Sequence, residues 1–388
     1  MKILCIIPAR GGSKRIPGKN VTDFLGMPLI AWSIRAALNA GCFGEVMVST
    51  DSEKIASVAR EHGAEVPFLR SAATSDDYAT TADVLREVLA RYADAGKHFD
   101  AFCCLYATAP FVMPFRLRQG AELISGTRFE AAFTVMRFSY PPQRGLAISG
   151  AGTVAMIHPE YASARSQDLQ PIYHDAGQFY FCHTKAFLRD GTLWGPATAP
   201  IVLPEEEAQD IDTPSDLRLA LLKARMMTFP DEFSTGGFTF RNYTALSGDE
   251  HRLVLSERNG AAVREQMVNR DVIPEEAHRH FVSLLRHRFD RAYYAVYNTE
   301  GLVGSLNIDI QGPGVAERGI WIAARCRGKR MAAPVTEAFY SYLHDNFGIN
   351  RVLTKVRRAN AASNALEHRL GASLTGSDEE YNHYELQL

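Results

Sequence analysis

The segment PARGGSKRIPGKN, Pro8 to Asn20, sets two adjacent glycines among four cations, Arg10, Lys14, Arg15 and Lys19. A polyphosphate site uses both features. Gly11 and Gly12 let backbone N–H groups come close, and the cations neutralise charge. The G-x-x-x-x-G-K-[ST] and G-x-G-x-x-G spacings are absent, which sets aside a Walker-type ATPase and a dinucleotide-dependent dehydrogenase. A solvated basic turn is the plain alternative. Position favours the ligand reading, because the loop follows the apolar run Ile3 to Ile7, and open α/β sheets bind ligands at the carboxyl ends of strands.

A second constellation is QDIDTPSD, where Asp210 and Asp212 flank Ile211. On a strand, this period-2 spacing puts both carboxylates on one face, a hard-oxygen pair suited to Mg²⁺. Asp212 as the cap of a helix starting at Thr213 is the structural alternative, and both readings stand. A third is RCRGKRMA, Arg325 to Ala332, a basic Gly-containing turn ahead of a helical stretch, where backbone N–H groups at the helix start suit an anion.

Elements must position these groups. Up to Met227, short apolar runs (Ile3 to Ile7, Glu45 to Ser49, Ala101 to Tyr106, Ala131 to Met136) alternate with amphipathic stretches (Pro28 to Asn39, Ser52 to His62, Thr81 to Ala93, Pro114 to Ser125). That pattern predicts an α/β domain over residues 1–227, with a mainly parallel, Rossmann-like sheet and helices on both faces. Turn-rich residues 228–237 read as a linker. A second α/β domain follows over 238–388, with strands at Phe238 to Tyr243, Ala292 to Ile310, Glu317 to Ala323, Arg351 to Val356 and near Tyr381 to Leu388. Its helices are expected at Gly248 to Glu257, Pro274 to Arg286, Pro334 to Phe347 and Ala361 to Leu370. Two domains are also what 388 residues predict, since single cores seldom grow that large.

A net charge of −2, from 42 basic and 44 acidic residues, sets aside a general nucleic-acid or membrane-surface binder. The six cysteines form no C-x-x-C pair and sit mostly in apolar runs, which predicts reduced thiols. The apolar run before Pro8 is too short for a secretion signal, so a cytoplasmic protein is expected.

The basic loop, DAGQFY (Asp175 to Tyr180) and QDID together resemble the cytidylyltransferases that activate nonulosonic, sialic-type acids. The resemblance spans about Met1 to Met227. It implies the nucleotide-diphospho-sugar transferase fold, CTP as substrate and Mg²⁺ on Asp210 and Asp212, with Arg10 and Lys19 stabilising the departing diphosphate. It also implies nucleotide contacts from Arg10, Gly11, Gly12, Ser13, Lys14 and Asn20, and from a second segment with Arg70, Ser75 and Asp76. RSQDLQPIYHDAGQFY (Arg165 to Tyr180) matches the sugar-contacting region, implying Arg165 for the sugar carboxylate and Gln167, His174, Asp175, Gln178 and Tyr106 for other contacts. The family's sialic and legionaminic members typically carry Leu-Gln-Pro-Thr-Ser-Pro. Here LYATAPF (Leu105 to Phe111) puts Tyr106 in place of the glutamine, as in pseudaminic acid members, with an ordinary sialic acid as the alternative sugar. A homodimer is implied.

RCRGKRMA and NAASNALEHRLGA (Asn360 to Ala372) resemble the GNAT acetyltransferases over about Phe238 to Leu388. This implies acetyl-CoA held by Arg325, Arg327, Gly328, Lys329, Arg330, Met331 and Asn360. ERNGAAVREQM (Glu257 to Met267) resembles the acetyltransferase that acts on a UDP-linked 4-amino sugar in pseudaminic acid synthesis. Arg330 stands where Gly or Ala is usual, and Glu367 replaces the tyrosine proposed as general acid, so a GNAT-like binding or dimerisation module is the alternative. Glu317 is either a general base or an exposed strand-end glutamate. His278, His280 and His287 read as a solvated helix face.

Overall fold

The computed structural model describes residues 1–388 except Lys14 and Asp77. The chain divides into two compact units, Met1–Met227 and Thr228–Leu388.

In the first unit, β1 (Ile3–Pro8) leads through a small hairpin, β2 (Asp23–Phe24) and β3 (Met27–Pro28), into α1 (Leu29–Ala40). Then come β4 (Glu45–Ser49), α2 (Glu53–Glu61), α3 (Thr81–Asp94), β5 (Ala101–Leu105), α4 (Pro114–Ser125) and β6 (Ala131–Arg137). A second hairpin, β7 (Leu146–Ile148) and β8 (Val154–Met156), precedes β9 (Tyr173–His183), α5 (Thr184–Asp190), β10 (Thr198–Leu203) and α6 (Pro214–Met227). The sheet order is β10-β6-β9-β5-β1-β4. β1 pairs parallel with β4 and β5, and β10 with β6, while β9 runs antiparallel between β5 and β6.

Alternation along β1 explains both cores. Ile3, Cys5 and Ile7 pack with Ile34, Ile55 and Leu117 from α1, α2 and α4, whereas Leu4 and Ile6 pack with Leu85 and Val88 of α3 and Phe187 of α5. Period-2 side-chain direction thus commits a helix layer to each face. The carboxyl ends of β1, β4 and β5 carry the loops that begin at Ala9, Thr50 and Tyr106.

The second unit is built on an eight-stranded sheet. β11 (Glu232–Thr235) and β12 (Phe238–Asn242) form a hairpin, followed by α7 (Gly248–Asn259), α8 (Ala261–Arg264), α9 (Glu275–Leu285), β13 (Arg291–Asn298), β14 (Gly301–Gly312) and β15 (Val315–Ile322). Last come α10 (Ala332–Phe347), β16 (Arg351–Arg357), α11 (Ala361–Leu370), β17 (Ser373–Ser377) and β18 (Tyr381–Gln387), in sheet order β11-β12-β13-β14-β15-β16-β18-β17. The expected linker is a correction: residues 228–237 contain β11, and Phe229 and Phe233 pack into the core with Phe240, Phe339 and Phe347. Two aromatic side chains outweigh the turn propensity of their neighbours, because their burial is available only within the fold.

All neighbours in this sheet are antiparallel except β15 and β16. These two pair in parallel only over Val315–Glu317 and Arg351–Leu353, yet β15 runs on to Ile322 and β16 to Arg357. Beyond Glu317 the strands part, leaving a wedge in the sheet.

Candidate functional sites

The basic loop after β1 is held at several points. Gly11 N–H donates to Asp51 Oδ1 at 2.7 Å, the buried Asn20 amide donates to Arg10 O at 3.0 Å, and Arg10 reaches Asp76 O at 3.3 Å. A side chain at Gly12 would meet nothing within 4 Å, so packing within the protein does not demand glycine there. A close approach by a ligand would.

Pro8, Arg10, Ser13, Arg15, Lys19, Asn20, Tyr106, Thr108 and Asp212 line a cavity of about 460 Å³. Lys19 Nζ donates to Ile211 O at 2.6 Å and to Asp212 Oδ1 at 3.2 Å, and Arg15 donates to Asp212 Oδ2 at 2.8 Å. QDID is not a strand, which corrects that expectation: it is irregular backbone entering α6. The alternation nonetheless survives, because Ile211 is fully buried between the two aspartates. Partial burial, then repulsion from Asp212, pushes the Asp210 carboxyl above its ordinary value. The capping alternative for Asp212 falls to its neighbours. Thr213 N–H and Oγ1 donate to Asp216 Oδ2 at 2.7 and 2.9 Å, and Asp216 N–H returns a bond to Thr213 Oγ1 at 3.3 Å. This reciprocal cap leaves the Asp212 carboxylate turned to cations.

Arg70 is buried, donating to Ser49 O at 2.5 Å and Ser49 Oγ at 3.1 Å, and burial lowers its pKa. Ser75 Oγ donates to Ser71 O at 2.7 Å, and Asp76 Oδ1 accepts from the Tyr78 and Ala79 amides. These two side chains shape the segment that Arg10 touches. Lys14 lies outside the described residues.

The sugar candidates are not gathered in that cavity. Tyr106 lines it, its ring tilted 57° against that of Tyr180 at 5.5 Å between centroids, and the Tyr180 hydroxyl donates to Asp175 Oδ2 at 2.5 Å. His174 packs on Phe138. Gln178 is buried, with its amide spent on Glu207 O. Arg165 and Gln167 are exposed on a short turn after the β7–β8 hairpin and do not border the cavity. Sequence reasoning did not flag Asp51 as a partner of the site; adjacency of β4 to β1 is what brings it to the loop.

In the second unit a cavity of about 480 Å³ lies beside the end of β15, between α8 and the starts of α10 and α11. Ile320, Trp321 and Ile322 form one wall, Gln266 and Met267 after α8 another, and Arg327, Gly328, Arg330, Met331, Asn360 and Ser363 close it. No side chain caps the start of α10 at Met331, so its N-terminal dipole faces the turn uncapped. Gly328 and Arg330 both adopt left-handed backbone, with φ of 74° and 59°. For Arg330 that conformation costs about 1 kcal/mol. Asn360 accepts the Ser363 amide at 3.1 Å and caps α11.

Two expected coenzyme contacts are corrected. Arg325 points to the β13–β14 turn, donating to Leu302 O at 2.7 Å and Asn298 Oδ1 at 3.1 Å, and neither it nor Lys329 borders the cavity. Glu367 is also accounted for: it bonds Arg318 at 2.7 Å, both side chains being 2% exposed, and Arg318 donates to the Tyr340 hydroxyl at 2.9 Å. The side chain that departs from the GNAT pattern is a buried ion-pair partner binding α11 and α10 to β15.

Glu317 has the opposite orientation. Ala316 joins the core beneath α10, so Glu317 faces the other side of the sheet, at the last paired residue before the strands part. The residue is solvent-exposed, as the strand-end alternative expected, yet partial desolvation against the sheet, then Asp309, raises its pKa. The histidines are partly corrected: His280 is exposed, but His278 is buried, its Nε2 3.2 Å from His251 Nδ1. Burial lowers the pKa of both paired rings.

All six cysteines are free thiols, five of them buried. Among the described residues no helix is long and apolar enough to cross a membrane.

Comparison with known proteins agrees with this division. Residues 4–187 match the cytidylyltransferase family model, and residues 244–373 match the acetyltransferase (GNAT) domain model. A pseudaminic acid cytidylyltransferase of Campylobacter jejuni is 44% identical over 220 residues, covering 57% of this chain and 95% of the relative. A CMP-N,N'-diacetyllegionaminic acid synthase of Legionella pneumophila is 36% identical over 226 residues, covering 56% and 94%. Among solved structures, a Campylobacter jejuni N-acetyltransferase, PseH, in complex with acetyl coenzyme A aligns with 39% of this chain and 98% of its own, at 16% identity and a TM-score of 0.32. The chain belongs to the cytidylyltransferase family, beside the pseudaminic acid cytidylyltransferases, and carries a GNAT acetyltransferase domain in its second half.

Proposed function

We propose that the first unit converts CTP and pseudaminic acid to CMP-pseudaminic acid and diphosphate. The observation that carries this is the cavity in which Arg10, Arg15, Lys19 and Asp212 meet, with Asp210 two residues from Asp212. The anomeric hydroxyl attacks the α-phosphorus, and Arg10 and Lys19 neutralise the diphosphate as the bond to it breaks. Asp210 and Asp212 suit Mg²⁺, which takes one or two carboxylates and completes its shell from water and substrate phosphate. Two like carboxylates kept close enough to raise Asp210 are the donor set such an ion relieves. Bound there, Mg²⁺ supplies Lewis-acid polarisation of the α-phosphate. The sugar contacts fall to Tyr106 and the Asp175–Tyr180 pair, and Arg165 is assigned to the sugar carboxylate as a guanidinium suited to bidentate recognition. The test is product analysis of CTP with a panel of nonulosonic acids; preference for a sialic acid over pseudaminic acid overturns the sugar assignment.

The second unit transfers acetyl from acetyl-CoA to the 4-amino group of a UDP-linked trideoxyhexose. The cavity, the uncapped start of α10 and the left-handed turn at Gly328 and Arg330 support pyrophosphate at the turn and the thioester beside the end of β15. Glu317 acts as base from the opposite face. A folded protein that shows no coenzyme A thermal shift and no acetyl transfer overturns this half.

The working protein is a cytoplasmic homodimer. In support, Leu146, Ile148 and Val154 of the β7–β8 hairpin and Ile157 just after it are each more than half exposed, a cost in solvation that a second copy removes. Monomeric behaviour in sedimentation at micromolar concentration overturns the dimer.

A further inference from the structure

We propose that Asp309 and Arg291 are positioning residues that set the protonation of Glu317, and so the pH range in which the second unit transfers acetyl groups. The proposal rests on the acetyltransferase reading above and deepens it.

Three neighbouring strands present these side chains in one row. Arg291 of β13 lies opposite Asp309 of β14, and Asp309 lies opposite Glu317 of β15. Residues directly opposite share a face, so the order across the sheet is cation, carboxylate, carboxylate. Arg291 and Asp309 are ion-paired. Arg318, the next residue after Glu317, is committed to the other face by Tyr340 and Glu367, so the row cannot slip by one residue without exposing a buried ion pair. Glu317 is also the last β15 residue paired with β16, so it stands at the register position where the two strands part. The charged groups acting on it are Asp309, Lys355 of β16, Arg291 and His383 of β18, with the Tyr293 phenol of β13 beside them. Asp309 is the strongest charge among them, and it opposes ionisation.

The acceptor arrives as an ammonium ion. Glu317 takes one proton, and the nitrogen lone pair forms the C–N bond with the thioester carbon. The C–S bond then breaks with its electrons going to sulfur. The second nitrogen proton ends on the thiolate, giving amide and free thiol, and Glu317 returns its proton to water. A base held above the ordinary carboxylate range is better matched to an amine near neutral pH, which is what a second carboxylate across the strand provides.

Glu317 must be ionised to act, so turnover falls as pH falls through its raised pKa. Asp309→Asn removes the repulsion and moves the acid limb of kcat/KM to lower pH, raising the ratio of turnover at about pH 6 to that at about pH 8 by roughly threefold. Arg291→Gln leaves Asp309 uncompensated and moves the limb to higher pH. Opposite shifts are not produced by loosening the sheet, and the surface-reachable Arg291 variant carries the test if Asp309→Asn fails to fold. Limbs that stay where they are in a folded variant, or move in the same direction in both, overturn the proposal. An unaltered protein that acetylates no amino sugar at any pH instead overturns the acetyltransferase reading.

Discussion

The two cavities are nearly equal in volume, about 460 and 480 Å³, and they are built by opposite means. The first is furnished by side chains: cations and carboxylates from loops at the carboxyl ends of strands, already paired with one another before any ligand arrives. The second is furnished by backbone, as a left-handed turn and an uncapped helix start at the end of β15, with apolar side chains along the wall. In the first, charge does the binding and fixes the ligand class. In the second, shape and peptide dipoles do.

That contrast can be broken most sharply at the aspartates. The double change Asp210→Ala, Asp212→Ala should lower CMP-sugar formation by about 10³-fold or more while leaving coenzyme A binding unaltered. Full activity in that variant removes the metal role. At fixed Mg²⁺, cytidylyl transfer should also decline as pH falls through the raised Asp210 value, since a protonated carboxyl is no ligand; excess Mg²⁺ should restore part of it. An unchanged profile across Mg²⁺ concentrations counts against the carboxylate as ligand.

In the second unit the largest effect should be on stability. Glu367→Gln leaves Arg318 buried beside a neutral partner, costing about 3 kcal/mol in denaturant unfolding of that unit, whereas Arg318→Met with Glu367→Leu should come out near neutral. If the single change is harmless, the ion pair does not hold α10 and α11 to the sheet. Gly12→Ala is a finer probe of the first cavity: with no protein atom to clash, stability should be kept, and CTP affinity should fall about tenfold as backbone approach is blocked. Smallest of all, Arg330→Gly should raise unfolding stability by about 0.5 kcal/mol, the relief of left-handed strain less the added chain freedom of glycine. A loss of stability there would mean that the Arg330 side chain contributes more than its backbone costs.

Local chemistry made much of the first unit readable. Apolar runs at strand length, alternating with amphipathic stretches, follow directly from period-2 and period-3.6 burial, and α4 and β4 run over the very residues that the periodicity predicts. The strand assigned to QDID failed because its alternation comes from a single buried isoleucine beside a cleft and not from pairing with a neighbour. β11 was missed because its reason to exist is Phe233, stacked on Phe240 and Tyr342 once the sheet and α10 are assembled. Arg325 was assigned to the coenzyme because sequence records that a cation is near the turn but not where it points; Leu302 and Asn298, more than twenty residues upstream, decide that.

What the amino-acid sequence determined by itself was the order of elements, the contiguous basic loop and the aspartate pair, since short-range spacing and backbone freedom suffice for these. Tertiary structure alone decided which of two adjacent residues, Glu317 and Arg318, faces the chemistry and which is buried. That choice depends on which face of β15 is covered by α10 and α11, and so on contacts between residues far apart in the chain.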